Sequence, residues 1–134
     1  ARFLRAGVCC VPPAQSYALG SMQVVLITGG GSGIGKTTAL LMAAEGAAAV
    51  VVAGRRQGPI DEVVAEIRAL GAKALAVQCD VGDQASVQAM FAAVKTTFGR
   101  LDVLFNNAGF GVGGYLLEDL PLADWKSVVD TNLT

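Results

Sequence analysis

A run of glycines at residues 29–35 narrows the folds open to this chain more than any other feature. Five of these seven residues are glycine, and they stand between a short apolar run at 24–27 and an alanine-rich, proline-free segment at 34–45. The apolar run is typical of a strand buried on both faces, and the segment after it is typical of a helix. Because glycine lets the backbone approach a ligand and a helix N-terminus offers unpaired N–H groups, this turn predicts a phosphate-binding site.

Two phosphate-binding patterns fit the turn, and the turn alone does not choose between them. Residues 30–37 match the P-loop pattern G-x-x-x-x-G-K-[ST], which would cradle a nucleoside triphosphate and magnesium, with Asp80 holding the metal through water. Residues 28–35 also match T-G-x-x-x-G-x-G. The strict dinucleotide pattern G-x-G-x-x-G is met in no register.

Strand-like and helix-like segments alternate along the chain from residue 24 onward. Short apolar runs predict strands at 24–27, 49–53, 74–79 and 101–105, and helical spacing predicts helices at 34–45, 59–70, 84–98 and from 121. This alternation predicts an α/β fold, with a parallel sheet, helices on both of its faces and right-handed crossovers. We expect the folded domain to occupy 22–134, and residues 1–21 to be a disordered leader or upstream extension.

Composition excludes several classes of protein. With 53% hydrophobic and 16% charged residues, the chain can bury a core, which a disordered chain cannot do. A net charge of −1 excludes a generally basic nucleic-acid binder, so we expect no nucleic-acid partner. The sequence contains no histidine, which removes His-based triads and His-ligated zinc.

Cysteine usage and hydropathy favour a cytoplasmic protein without a metal site. Cys9, Cys10 and Cys79 show neither metal-ligand spacing nor a disulfide framework, which is typical of a reducing compartment. The most apolar stretch, at 39–54, is interrupted by Glu45 and Gly46 and is shorter than the roughly 18 residues that a membrane span requires. We therefore predict no association with a membrane.

Four motifs together resemble one family. Residues 106–109 (Asn-Asn-Ala-Gly) follow the fourth predicted strand, residues 79–81 (Cys-Asp-Val) follow the third, and residues 130–133 (Asp-Thr-Asn-Leu) lie in the last helix. Together with the T-G-x-x-x-G-x-G turn, these motifs resemble the N-terminal half of the short-chain dehydrogenase/reductase family over residues 22–134. The resemblance implies a Rossmann-type, doubly wound parallel sheet, here truncated after the fourth strand and the following helix. It favours a dinucleotide site over a P-loop.

The resemblance also implies roles for particular residues. In that family the glycine-rich turn holds the cofactor pyrophosphate, the acid after the third strand binds adenine, and the N-N-A-G segment runs beside the cofactor ribose. The expected cofactor-binding residues are Thr28, Gly29, Ser32, Gly33, Ile34, Gly35, Arg55, Arg56, Asp80, Val81, Asn107, Ala108 and Gly109. Asn132 matches the asparagine of the family's catalytic tetrad, which holds a water in the proton relay.

Several of these residues also have purely structural interpretations. Asp80 could be an N-cap or turn residue, and Asn106 and Asn107 could be ordinary turn formers. Asn132 could bond the backbone from within its helix. Trp125 and Val129 are interpreted as core residues, and Tyr115 as a surface aromatic.

The sequence departs from the family's pattern at the proton relay. That relay needs a tyrosine followed four residues later by a lysine, but Tyr17 and Tyr115 are followed at that distance by Ser21 and Asp119. We therefore interpret the chain as the cofactor-binding half of an oxidoreductase, inactive alone. The full-length form would transfer hydride to or from a small carbonyl or alcohol and is expected to be a homo-oligomer. The alternatives are a non-catalytic dinucleotide-binding module and a P-loop nucleotide-binding protein.

The end of the second predicted strand indicates which cofactor is preferred. NAD-dependent folds place an acid there for the ribose 2′-hydroxyl, whereas residues 53–56 read Ala-Gly-Arg-Arg. A guanidinium can bond a 2′-phosphate bidentately. We therefore predict that NADP(H) is favoured over NAD(H), chiefly through Arg55 with Arg56 assisting, although both could be solvated loop cations.

Overall fold

Four parallel strands form the sheet, in the order β3-β2-β1-β4. The computed structural model describes residues 23–114 and 116–133. The strands are β1 (Val24–Thr28), β2 (Ala49–Gly54), β3 (Lys73–Gln78) and β4 (Val103–Phe105). The helices are α1 (Gly33–Ala44), α2 (Gln57–Ala69), α3 (Gln84–Phe98) and α4 (Leu122–Asn132), with a single 3₁₀ turn at Leu117–Asp119. The predicted α/β Rossmann-type sheet is confirmed.

The core lies on both faces of the two central strands. Alternate residues of β1 and β2 point to opposite faces, because side chains alternate along a strand. One face packs against α1 and α2 through Val25, Ile27, Val50, Val52, Ile60, Val63 and Ile67. The other packs against α3 through Val24, Leu26, Ala49, Val51, Ala53, Met90 and Val94. This double burial explains why both strands are continuous apolar runs rather than alternating ones.

The topology gathers the chemically distinctive loops at one edge of the sheet. All strands run in the same direction, so the turns after β1, β2, β3 and β4 leave from the same edge. The strand order reverses at β1, which lies between β2 and β4. Ligands of open α/β sheets bind in the crevice at such a reversal point, outside the carboxyl ends of the strands.

Two elements begin two residues away from where the sequence predicts, while the other starts agree to within one residue. β4 covers three residues instead of five, and the Asp102 side chain just before it bonds the backbone of β1. Its Oδ2 accepts the Val24 N–H at 2.8 Å, while its own N–H donates to the Val24 carbonyl at 3.0 Å. Helix α2 begins at Gln57 rather than Pro59. Pro59 is tolerated there because the first turn of a helix needs no N–H donors.

The interpretation of Trp125 and Val129 as core residues is wrong. Trp125 is 51% exposed, and no residue of α4 is buried. Helix α4 follows β4, which is an edge strand among the described residues, so it has no broad sheet face to cover. The expected leader at 1–21 and Tyr115 lie outside the described residues. Across the described part of the chain, none of the helices combines the length and apolar character that a bilayer crossing requires.

Candidate functional site

A cleft with a volume of about 390 Å³ opens at the carboxyl edge of the sheet. It collects residues from the ends of all four strands, which explains how motifs far apart in sequence share one site. The residues predicted to bind a cofactor that line it are Gly29, Ser32, Ile34, Arg55, Arg56, Asp80, Val81, Asn107, Ala108 and Gly109. Thr28, Gly33, Gly35 and Asn132 were predicted with them but are not among the lining residues.

The glycines of the turn allow a ligand to approach the backbone, and they also allow the turn to pack closely against the segment after β4. Gly29 has a positive φ of 65°, and a Cβ there would lie 2.9 Å from the Ala108 Cα. A Cβ on Gly35 would lie 2.6 Å from the Asn107 Nδ2 and would also meet the Gly29 carbonyl oxygen. Real Cβ atoms do not approach so closely. The turn therefore fits against the segment after β4 only because both residues lack side chains.

The N-terminus of α1 offers hydrogen-bond donors to an anion. Its first N–H groups have no partner within the helix, as in any helix. Ser32 is the N-cap residue, in an extended conformation, but its side chain makes no capping hydrogen bond. Ser32 and Ile34 line the cleft, and Ile34 is 73% exposed. An uncapped helix end facing an open cleft suits a phosphate group, because the helix dipole also favours negative charge there.

Thr28 holds the segment after β4 against the glycine turn. Its side chain is 97% buried, and its Oγ1 accepts the N–H groups of Asn107 and Ala108, both at 3.1 Å. The Asn107 side chain adds hydrogen bonds in the opposite direction, because its Nδ2 donates to the carbonyls of Thr28 at 3.1 Å and Gly29 at 3.3 Å. Thr28 thus lies beneath the cleft and positions its wall.

Asp80 occupies the turn after β3, where its carboxylate also stabilises the backbone. Its Oδ1 accepts the Gly82 N–H at 2.9 Å, and its own N–H donates to the Ser86 Oγ at 3.0 Å. The turn-residue interpretation therefore has structural support, while the exposed side chain still lines the cleft. Beside it, the thiol of Cys79 is buried, and this burial raises the pKa of Cys79.

The tip of β2 carries two cations and no acid. A Cβ on Gly54 would lie 2.9 Å from the Ile60 Cγ2, so a side chain there would require the Ile60 side chain to move. Arg55 and Arg56 follow, and both line the cleft. The Arg55 guanidinium lies over the ring of Phe110, with its Cζ 5.2 Å from the ring centroid.

Asn132, the expected catalytic residue, bonds to the loop after β4. It belongs to α4, which covers Leu122–Asn132 in the described part of the chain. Its Oδ1 accepts the Phe110 N–H at 3.1 Å, and its Nδ2 donates to the Phe110 carbonyl at 2.8 Å. The Asn132 side chain does bond backbone, but this backbone belongs to the loop after β4 and not to its own helix, as the structural interpretation expected.

Lys36 does not take the position that a P-loop lysine needs. Its Nζ forms an ion pair with the Glu66 Oε1 at 2.8 Å, which ties α1 to α2. Thr37, the next P-loop residue, donates its hydroxyl to the Gly33 carbonyl at 3.1 Å. Neither side chain is among those lining the cleft, so the geometry disfavours the P-loop alternative.

Seven lining residues were not predicted from the sequence. They are Gly31, Ala53, Gly54, Pro59, Cys79, Phe110 and Thr131. Most of them are next to a predicted residue in the sequence. Extending each motif by a residue or two on either side would have included them. Pro59 is different, because only the earlier start of α2 brings it toward Gly31; a Cβ on Gly31 would lie 3.2 Å from the Pro59 Cβ.

Comparisons with known proteins agree on one family. The short chain dehydrogenase profile matches residues 23–134. A 3-oxoacyl-[acyl-carrier-protein] reductase of Synechocystis sp. is 45% identical over 84% of this chain and 45% of its own length. A structure of a Burkholderia phymatum short chain dehydrogenase/reductase in complex with NAD is 39% identical, with a TM-score of 0.78 over 83% of this chain and 39% of its own.

A metagenomic short-chain oxidoreductase in complex with NADP is 34% identical, with a TM-score of 0.79 over 85% of this chain and 52% of its own. The chain thus spans about half the length of the relatives it matches, or less. The family profile covers every strand and helix that forms the cleft. This chain belongs to the short-chain dehydrogenase/reductase family.

Proposed function

We propose that this chain forms the cofactor-binding part of an oxidoreductase that uses NADP(H). The observation that carries the proposal is the cleft itself, which combines an uncapped helix N-terminus with two arginines at the tip of β2. When bound there, a nicotinamide cofactor would supply or accept the hydride exchanged with a small carbonyl or alcohol substrate. The chain's own residues bind and orient that cofactor.

The glycine turn and the start of α1 suit the cofactor pyrophosphate. Gly29, Ser32 and Ile34 line the cleft next to the unpaired N–H groups of the helix. Substituting side chains at Gly29 or Gly35 would push this turn off the segment after β4. We therefore assign pyrophosphate binding to the turn, with Gly33 and Gly35 shaping its backbone.

The adenosine part of the cofactor would lie between β3 and β4. Asp80 can accept a hydrogen bond from the adenine amino group, and Val81 offers an apolar contact beside it. Asn107, Ala108 and Gly109 line the opposite wall, which we assign to the ribose. The Thr28 hydrogen bonds hold this wall in place without the cofactor, so little ordering is needed on binding.

Preference for NADP(H) rests on the tip of β2. Position 54 is glycine rather than the acid that would accept from a 2′-hydroxyl, and Arg55 offers donors suited to a 2′-phosphate. Losing such a charged contact should weaken NADPH binding by about 10- to 150-fold.

The test is to titrate NADPH and NADH into the full-length protein and into Arg55→Ala. Lys95→Ala is a matched control, because it also removes one exposed cation but lies on α3, outside the cleft lining. We expect tighter binding of NADPH than NADH in the wild type and in Lys95→Ala, and loss of that difference in Arg55→Ala. Equal or tighter NADH binding in the wild type would refute the assignment.

A second candidate is a dinucleotide-binding module without catalysis. Asn132 is expected to act in the proton relay of the enzyme, yet its side chain already bonds the Phe110 backbone. Both candidates bind the cofactor, and only the enzyme turns it over. Activity of the full-length protein with a panel of ketones and alcohols separates the two.

A further inference from the structure

Two cleft residues from distant parts of the sequence meet across the site. Arg55 belongs to the connection between β2 and α2, and Phe110 follows the segment after β4. The Arg55 Cζ lies 5.2 Å from the centroid of the Phe110 ring, within the range of a cation–π interaction. Both residues also line the cleft.

The position of Phe110 is fixed through its backbone. Asn132 bonds both the N–H and the carbonyl of Phe110, at 3.1 and 2.8 Å. Because these bonds use only main-chain atoms of residue 110, they survive replacement of the ring. The ring therefore stands on an anchored loop, and Arg55 is the exposed partner of the pair.

The contact leaves the guanidinium able to bind an anion. The ring attracts the guanidinium through its quadrupole. Unlike an oxygen acceptor, it leaves the five N–H donors of the guanidinium available for an anion. Among the described residues, the Arg55 side chain makes neither an ion pair nor a hydrogen bond; only its carbonyl is engaged, by the Gln78 Nε2 at 2.9 Å. Holding a long side chain in one place also reduces the entropy that it loses on binding.

We propose that Phe110 sets the preference for a 2′-phosphorylated dinucleotide by holding the Arg55 guanidinium over the cleft. This proposal rests on the proposed function, in which Arg55 binds the 2′-phosphate. Phe110 is a positioning residue: it acts through Arg55 and need not touch the phosphate. The sequence gives no sign of it, since the pairing depends on the loop geometry that Asn132 stabilises.

The test compares NADPH and NADH affinities of the full-length wild type with those of Phe110→Leu, Phe110→Tyr, Arg55→Ala and the double variant Arg55→Ala/Phe110→Leu. Phe110→Leu should raise the Kd for NADPH by about two- to five-fold, the worth of an exposed cation–π contact, and leave the Kd for NADH nearly unchanged. Phe110→Tyr keeps the ring and should behave as the wild type. In the Arg55→Ala background, Phe110→Leu should not change the ratio of the two affinities.

The outcomes separate this proposal from the one on which it rests. If Arg55→Ala leaves the ratio unchanged, Arg55 does not bind the 2′-phosphate and both proposals fail. If Arg55→Ala changes the ratio but Phe110→Leu does not, only the role of Phe110 fails. Equal weakening of both cofactors by Phe110→Leu would mean a merely structural role and would also overturn it. Phe110→Met provides the same comparison if the leucine variant does not fold.

Discussion

Replacing Thr28 by valine should have two effects at once: it should release the segment after β4 that forms one wall of the cleft, and it should lower the free energy of unfolding. Valine keeps the shape and β-branching of threonine, so the end of β1 can retain its conformation. The substitution removes one buried oxygen that accepts two N–H groups, those of Asn107 and Ala108, at 3.1 Å each. Within the described residues these two N–H groups have no other acceptor, so both lose their partner at once.

The expected magnitude follows from these contacts. Asn107 and Ala108 are half-buried, so each unpaired N–H should cost about 1–2 kcal/mol. Burying a methyl in place of the hydroxyl returns about 0.8 kcal/mol. The net loss in the free energy of unfolding is therefore about 1–3 kcal/mol, a large share of the stability of a typical domain.

Urea denaturation of the full-length protein measures this loss, and amide hydrogen exchange shows where it acts. Thr37→Val is the matched control: its hydroxyl donates to the Gly33 carbonyl at an exposed position, so its removal should cost less than about 0.5 kcal/mol. Thr28→Ser keeps the oxygen and should preserve slow exchange at the Asn107 and Ala108 amides. If exchange at these amides and the stability of Thr28→Val both match those of Thr37→Val, the role assigned to Thr28 is wrong.

Two further predictions concern acid stability and activity. The Arg100 guanidinium and the Val24 N–H hold the pKa of Asp102 below its ordinary value, so its carboxylate stabilises the fold at neutral pH and loses this effect as the pH falls through that lowered pKa. In acid titrations followed by circular dichroism, the difference in stability between the wild type and Asp102→Asn should therefore shrink below about pH 4. A difference that stays constant with pH would contradict this. The 134-residue chain alone should bind NADPH without oxidising it in the presence of any ketone, because neither Tyr17 nor Tyr115 is followed four residues later by a lysine. Steady consumption of NADPH that is abolished by Asn132→Ala would contradict this prediction.

The sequence predicts best where local signals agree with the tertiary structure. The predicted limits of α3 are those observed, since Asp83 caps its start by accepting the Ser86 N–H and Gly99 ends it in a left-handed conformation. The bond between the Val24 N–H and the Asp102 carboxylate could not be predicted, because it joins residues far apart in sequence. Most of the cleft lining was predicted from individual motifs, which are local in sequence. The contacts between one motif and another could not be predicted, because they depend on how distant segments pack in the fold.

The hydrogen bonds of the site divide its residues into two functional groups. Thr28, Asn107 and Asn132 connect separate segments of the fold, so their substitution should change stability and cofactor binding together. Arg55 is exposed, and its side chain contacts the Phe110 ring, so its substitution should change binding and leave the free energy of unfolding nearly untouched. Since a ligand that binds only the folded state also stabilises it, unfolding must be measured without cofactor to separate the two groups. In that measurement Thr28→Val should unfold earlier than Arg55→Ala, while in NADPH titrations both should bind more weakly than the wild type.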